Sequence, residues 1–392
     1  MSTLLAVRGH YTAHRLDHDE LGYTSLSDDV DAVLRSEAPV THLPIDELAK
    51  QARARHADLV VIVVGRQGEE SLTRPLGFAL LERRPASPWR PVDIRLAGEG
   101  KLDRQSFHLV EPEVAATLAL GVATFVRRHR VWRLHLDQVS PNDPTLAYLV
   151  RCLPRLRAQA GDPIPLLRWP DERRPGRWAS KKTRAKHRTA CRRLDESGSA
   201  WRVHRLRNAG EIRAALPRTL EVRAARERQL ARRDAFADAA GQRHVQRVLD
   251  LATEGNAEVW LLTLDGTLVT YVVVGCDDGK RVLVDSRMRP GYERRSPGLV
   301  LFGHMLATWY VDDAVRVVDF GRGINDFKRG LRNEVEERLC VRAWSNPALE
   351  YADRGRHVAD ARLRACARSV RDRSPLVAGV VRRWRAHPFT HP

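Results

Sequence analysis

Between residues 281 and 332 the apolar and polar positions follow the order strand, turn, helix, strand, turn. Val282 and Val284 predict a short strand over 281–288. Leu299, Leu301, Phe302, Met305, Leu306 and Trp309 then recur at helical spacing, and 315–320 is a short apolar run of the kind that forms a buried strand. Upstream, the same reading gives helices over 180–198, 211–229 and 241–254, the first with Ser180 as N-cap and Gly198 as its stop. Asp265-Gly266 predicts a two-residue hairpin between strands 258–264 and 267–275, and a turn at 277–279 leads into residue 281.

The first part of the chain alternates as well, with helices over 43–56 and 113–128 and strands over 58–64, 76–81 and 131–136, which describes a compact α/β domain. His10, His14 and His18 are four apart and read as one solvated helix face; no thiolate or carboxylate cluster completes a metal coordination sphere around them. Residues 162–177 are rich in proline and arginine and read as an interdomain linker. Residues 232–236 read as a loop over an acceptor site. The segment 341–344 is expected as the last strand of the second domain, followed by arginine-rich helices over 357–373 and 376–385 outside it.

The turns carry the candidate chemistry. Ser296 is placed to cap the helix and Pro297 to be its first residue, so free N–H groups, those of Gly298 and Leu299 first, face a turn that also holds Arg294 and Arg295. A helix N-terminus of this kind suits a phosphate or a developing oxyanion. The next strand delivers Asp319 to the turn Gly321-Arg322-Gly323, whose glycines permit positive φ or close backbone approach, and Lys328 follows. Asp319 is a candidate to accept the proton of an amine or to hold its own loop.

The order Tyr292, Ser296-Pro297-Gly298, helix, Asp319-Phe320-Gly321, Gly323, Phe327-Lys328 resembles the acetyltransferase domain of the GNAT superfamily in Fem-type and cellulose-biosynthesis-type acyltransferases. Residues 132–149 resemble the strand and acidic turn that close the N-terminal half of those proteins, and 178–198 the basic helix that opens their C-terminal half. The resemblance implies an α/β (α+β) fold of two tandem GNAT-like domains with central mixed sheets flanked by helices. Residues 1–160 would form an N-terminal domain without its own active site, 161–177 a linker, 178–348 the catalytic domain and 349–392 a basic helical extension. It implies Lys328 on the donor phosphates or oxyanion, and Arg295, Ser296, Gly298, Leu299, Gly321 and Gly323 around the donor, with Tyr292 and Asp137 toward the acceptor. Family members that bind coenzyme A carry Arg/Gln-x-x-Gly-x-Gly/Ala. Here Arg295-x-x-Gly298 is followed by Val300 at the small position, so the co-substrate stays open between acyl-CoA and aminoacyl-tRNA.

Charge sharpens this picture. Residues 1–150 hold 18 Lys and Arg against 20 Asp and Glu, so the remaining 49 and 29 of the chain's 67 and 49 follow residue 150, and the excess behind the net +18 lies there. A field of that sign recruits polyanions. In the helix over 180–198, Lys181, Lys182, Arg184, Lys186 and Arg188 are candidate polyanion contacts, tRNA among them, although Trp178 and Trp201 only flank the helix and none interleaves it for base stacking. No apolar run reaches the roughly 18 residues of a membrane span, and the run 4–7 is too short for a leader, so a cytoplasmic protein is expected. Cys152, Cys191, Cys276, Cys340 and Cys366 are scattered, which predicts reduced thiols, no zinc site and no permanently bound cofactor.

The expected activity is N-acyl transfer from acyl-CoA to the amine of a small molecule, glycan or peptide, forming an amide. Two alternatives stand beside it: aminoacyl-tRNA-dependent amide formation on a peptidoglycan or natural-product acceptor, and, from another class, a non-catalytic basic nucleic-acid-binding protein.

Overall fold

A computed structural model describes residues 3–17, 26–37, 43–68, 75–87, 90–98, 106–230, 234, 236 and 239–373. The chain divides into two units, 1–164 with 336–358, and 165–335 with 359–392. In the first unit the elements are β1 (Thr3–Arg8), β2 (Tyr11–Asp17), α1 (Leu26–Glu37), α2 (Ile45–Arg53), β3 (Asp58–Arg66), β4 (Gly77–Arg84), β5 (Val92–Leu96), β6 (His108–Leu109), α3 (Ala115–Arg127), β7 (Trp132–Val139), α4 (Pro144–Cys152) and β8 (Arg157–Ala160). The chain continues through β9 (Ile164–Arg168), α5 (Lys181–Glu196), β10 (Trp201–Leu206), α6 (Ala209–Gln229), α7 (Ala239–Thr253), β11 (Ala257–Leu264), β12 (Thr267–Asp277) and β13 (Lys280–Met288). It ends with α8 (Pro297–Tyr310), β14 (Val317–Asp319), α9 (Asp326–Arg329), β15 (Glu334–Glu336), β16 (Leu339–Trp344) and α10 (Pro347–Arg373).

The first sheet runs β1-β2-β3-β4-β5-β7-β16-β8 with β6 beside β4, and the second β10-β11-β12-β13-β14-β9-β15. Both are mixed: β5 runs parallel to β7 in the first and β13 to β14 in the second, beside antiparallel neighbours. Each central strand is buried on both faces, which is why it reads as a continuous apolar run. In β3, Val60, Ile62 and Val64 pack under α3 and α4, while Leu59, Val61 and Val63 pack under α1 and α2. In the second unit Trp260, Leu262, Val272 and Val274 meet α5 and α8, and Val259, Leu261, Tyr271 and Val273 meet α6 and α7. Among the described residues no helix is long and apolar enough to cross a membrane.

Several expectations are corrected. His10 and His14 belong to the hairpin β1–β2, not to a helix, because β2 pairs with both β1 and β3 and Gly9, at φ 58°, makes the turn; His18 lies outside the described residues. The expected linker contains β9, where Leu166 and Leu167 pair with Asp319 and Val318 of β14. β16 is not the last strand of the second sheet: it pairs with β7 and β8 in the first. The helix expected from 357 begins at Pro347, and the one over 376–385 lies outside the described residues. The hairpin turn is as read, with Asp265 at φ 48° and Gly266 at φ 76°, the left-handed pair that the two-residue turn requires.

One buried carboxylate ties the second unit together. Glu258 of β11 is 1% exposed and accepts from Arg205 of β10 at 2.5 and 3.1 Å, from the Trp260 indole at 2.9 Å, and from the Trp309 indole of α8 at 3.1 Å. Burial pushes its pKa upward, but the hydrogen bonds and charge of Arg205 and the two indole bonds outweigh this and hold it below the ordinary carboxylate value.

Replacing Glu258 by alanine leaves Arg205 and two buried indoles without their acceptor. The expected loss is about 3–5 kcal/mol in urea unfolding. Because the folded-state pKa is depressed, the wild-type contribution is complete above the unfolded value of 4.5 and disappears as pH falls through the lower folded value. Acid unfolding of Glu258→Gln should therefore show a shallower pH dependence below 4.5 than wild type.

Candidate active site

The second sheet opens where its parallel pair parts. β13 and β14 pair at Lys280–Val317, Arg281–Val318 and Val282–Asp319, and the pairing ends there, although β13 runs on to Met288. A bulge at the same place sets Leu283 against Val274 but Asp285 against Val273. Bulges increase local twist and re-aim a strand. α8 returns the chain from the carboxyl end of β13 to the start of β14, so its N-terminus lies at the parted end. Crevices at the carboxyl ends of parted parallel strands are where α/β folds take ligands.

The N-terminal turn of α8 differs from the sequence expectation in one respect. Ser296 occupies the N-cap position, but at φ 52°, ψ 43°, and its side chain makes no capping bond. Pro297 disfavours a right-handed helical residue before it, and the short 3₁₀ turn Glu293–Arg295 leads into the left-handed conformation. The Ser296 carbonyl instead accepts from the Leu299 N–H at 3.0 Å and the Val300 N–H at 3.4 Å. Leu299 is thus occupied within the helix. Proline has no N–H, which leaves that of Gly298 as the one amide of this turn without a backbone acceptor among the described residues. A Cβ on Gly298 would meet nothing within 4 Å, so space lies open in front of it. Val300, at the position where a small residue is expected, is fully buried in the core.

Arg295 stays exposed and bonds Ser199 Oγ at 3.3 Å. Tyr292 packs half-buried against the core below the turn. Glu293 accepts from the Gly291 N–H at 2.9 Å and from Arg226 of α6 at 2.6 Å, anchoring the loop; bonds to backbone N–H groups, its own first, hold its pKa below the ordinary value.

Across the opening, Asp319 is fully buried, its Oδ1 accepting the Gly321 N–H at 2.8 Å and its Oδ2 lying 3.4 Å from Lys280 Nζ. Gly321 and Gly323 have φ of 69° and 79°, values that favour glycine. Asn325 caps α9 through the Lys328 N–H at 2.8 Å, and Lys328 Nζ donates to the carbonyls of Gly321 at 3.1 Å and Arg322 at 3.0 Å. Asp319 and Lys328 therefore grip one glycine turn from both sides, and of the two roles read for Asp319 the geometry is that of holding the loop.

The basic helix stands in the same unit. Ser180 caps α5 through the Thr183 N–H, and Thr183, Ala190 and Leu194 are buried, so Lys181, Lys182, Lys186 and Arg188 are left exposed on its outer surface. Arg184 donates to the Gly176 carbonyl at 2.6 Å. Thr183 Oγ1 donates to the Gly330 carbonyl at 2.7 Å, tying the helix start to the segment after Lys328. Asp137 is in the first unit, where its carboxylate accepts from Cys340 Sγ at 2.6 Å.

Sequence reasoning missed a polar network under α6. Asp285 accepts from Tyr271 Oη at 2.6 Å, Arg223 at 2.5 Å and Arg287 at 3.3 Å, while Arg287 also bonds Glu227 at 2.7 Å and Arg223 bonds Asp234 at 2.8 Å. Burial, then the Asp285 charge, drives the Tyr271 phenol well above its usual range, so it stays a donor. The signal was faint: a tyrosine and an aspartate in strands that otherwise read as apolar. The first unit carries an open cavity of about 500 Å³ walled by Arg84, Arg90, Arg133 and Arg356 among others; none of the predicted site residues lines it.

Residues 181–329 match the family model described as Acetyltransferase (GNAT) domain. Among solved structures the chain is similar to FemX, at 12% identity with a TM-score of 0.53, over 80% of this chain and 95% of that one. It is also similar to L-PGS from Bacillus licheniformis, at 12% identity and a TM-score of 0.43 over 70% and 83%, and to a tandem GNAT protein from the clavulanic acid biosynthesis pathway, at 12% and 0.42 over 86% and 99%. No curated protein matches. The family model gives residues 181–329 as a GNAT acetyltransferase domain, and the FemX likeness gives the chain a Fem-like fold.

Two glycines separate backbone strain from steric access. Gly323→Ala is expected to lose about 1–2 kcal/mol of stability from its left-handed φ alone, since a Cβ there meets nothing within 4 Å. Gly298→Ala, in helical conformation, should be neutral or gain up to about 1 kcal/mol. Urea unfolding of the pair checks both signs.

Proposed function

We propose that the GNAT domain transfers an acyl group from an acyl-CoA, acetyl-CoA in the first instance, to the amine of a small-molecule, glycan or peptide acceptor. The observation that carries this reading is the parting of β13 and β14 beyond Val282 and Asp319, with the Gly298 N–H and open space at the adjoining helix start. A thioester threaded along the unpaired edge of β13 can bond its main-chain groups as a further strand would. The positive end of α8 and the exposed Arg295 attract the donor's pyrophosphate. The grip of Asp319 and Lys328 on the glycine turn fixes the opposite wall.

Chemically the acceptor nitrogen attacks the acyl carbonyl, an N–C bond forms, the C–S bond breaks, and the proton released by the amine ends on the departing thiol. Holding the two reactants in line supplies roughly 7–11 kcal/mol of the barrier in the best cases, and a backbone donor on the oxyanion about 3 more. The Fem-like fold keeps an aminoacyl-tRNA donor as the second reading, and the observation that favours it is the exposed row Lys181, Lys182, Lys186 and Arg188 on α5. Two lysines in the first turn oppose the helix dipole, an arrangement that an anionic partner relieves. A purely nucleic-acid-binding role leaves the acyltransferase domain without a purpose.

Calorimetric titration with acetyl-CoA, bare tRNA and aminoacyl-tRNA decides between the donors. Saturable acetyl-CoA binding that Gly298→Val abolishes and Arg295→Ala weakens by about tenfold or more is expected, with the melting temperature of Gly298→Val little changed because its side chain enters open space. Binding that prefers aminoacylated over bare tRNA and ignores acetyl-CoA would replace this reading by the second.

A further inference from the structure

We infer that His187, Cys191 and His304 form a zinc-binding site that clamps α5 to α8. The scattered cysteines predict no zinc site, and a window of sequence does not hold this one, because its third member comes from a helix more than 100 residues further along the chain. His187 and Cys191 stand one helical turn apart on the same face of α5, and His304 reaches them from α8. One donor atom from each residue lies within 4.8 Å of the other two.

One edge of this triangle is already at the spacing that a metal imposes. Zn–S bonds of about 2.3 Å and Zn–N bonds of about 2.0–2.1 Å in a tetrahedron put sulfur and nitrogen about 3.6 Å apart. Cys191 Sγ and His187 Nε2 are 3.5 Å apart. His304 needs to close by roughly 1 Å, within the reach of one rotamer adjustment. Its Nε2 is buried without a hydrogen-bond partner, a cost that a metal ion removes.

The surroundings are shaped for the two rings. A Cβ on Gly303 would fall inside the His187 imidazole, so glycine at that position is what admits the ring against α8. Trp178 stands edge-on to His187 at 5.5 Å, and Trp201 lies tilted against His304 at 5.6 Å. One thiolate with two imidazoles selects zinc over magnesium or calcium. Three protein ligands at a half-exposed site leave the fourth position to water.

Cobalt(II) titration of the reduced, chelator-treated full chain tests this, because a cobalt–thiolate bond absorbs in the near ultraviolet. One equivalent of cobalt per chain is expected to give that band, zinc to displace it, Cys191→Ser to remove it, and His304→Gln to weaken binding by well over tenfold. Cys276→Ser, which changes a thiol in β12, should leave it intact. Zinc should also raise the melting temperature of wild type and not that of Cys191→Ser, with far-ultraviolet circular dichroism confirming that the variant is folded. A chain that gives no band, or a band that survives Cys191→Ser, overturns the site.

Discussion

Glu258 is the constraint on which the second unit depends. A carboxylate with 1% exposure is tolerable only if its lone pairs are filled, and here the donors come from β10, from its own strand and from the far end of α8. Because one of those donors is Trp309, the charge fixes α8 against the sheet in one register. With the C-terminal end of α8 held there, its first turn is held at the other end, above the place where β13 and β14 part.

What the parted strands offer follows from backbone chemistry more than from side chains. The bulge in β13, the left-handed Ser296 and the two positive-φ glycines each remove a residue from regular structure, and the N–H of Gly298 and the β13 edge are left facing one opening. The charged residues around it mostly act on the protein itself. Lys328 donates to two carbonyls, Asp319 accepts from an amide of its own turn, and Glu293 anchors its loop to α6. A preorganised backbone frame of this kind suits acyl transfer, where alignment supplies much of the rate.

Local signals were legible and long-range ones were not. Asp265-Gly266, the Ser180 cap and the apolar period of α8 each involve residues within a turn or two of one another, and each stands where the sequence put it. β9 was hidden because Ile164-Pro165-Leu166-Leu167 is short and flanked by proline and arginine, and only its pairing with β14, some 150 residues away, makes it a strand. β16 shows an ordinary strand pattern, but nothing in that pattern says which sheet it joins. His10 and His14 were misread because a spacing of four fits a helix face as easily as an irregular hairpin. The networks around Glu258 and Asp285 link residues 50 or more apart, such as Arg205 with Glu258 and Arg223 with Asp285, so no window of sequence contains them.

In the proposed reaction the donor lies along the unpaired edge of β13 with its phosphates at the start of α8. Amide hydrogen exchange with and without acetyl-CoA reads that location directly. Added protection is expected only in peptides covering 283–288 and 297–300, with the first unit unchanged. Protection elsewhere, or none in these two segments at saturating donor, would contradict it.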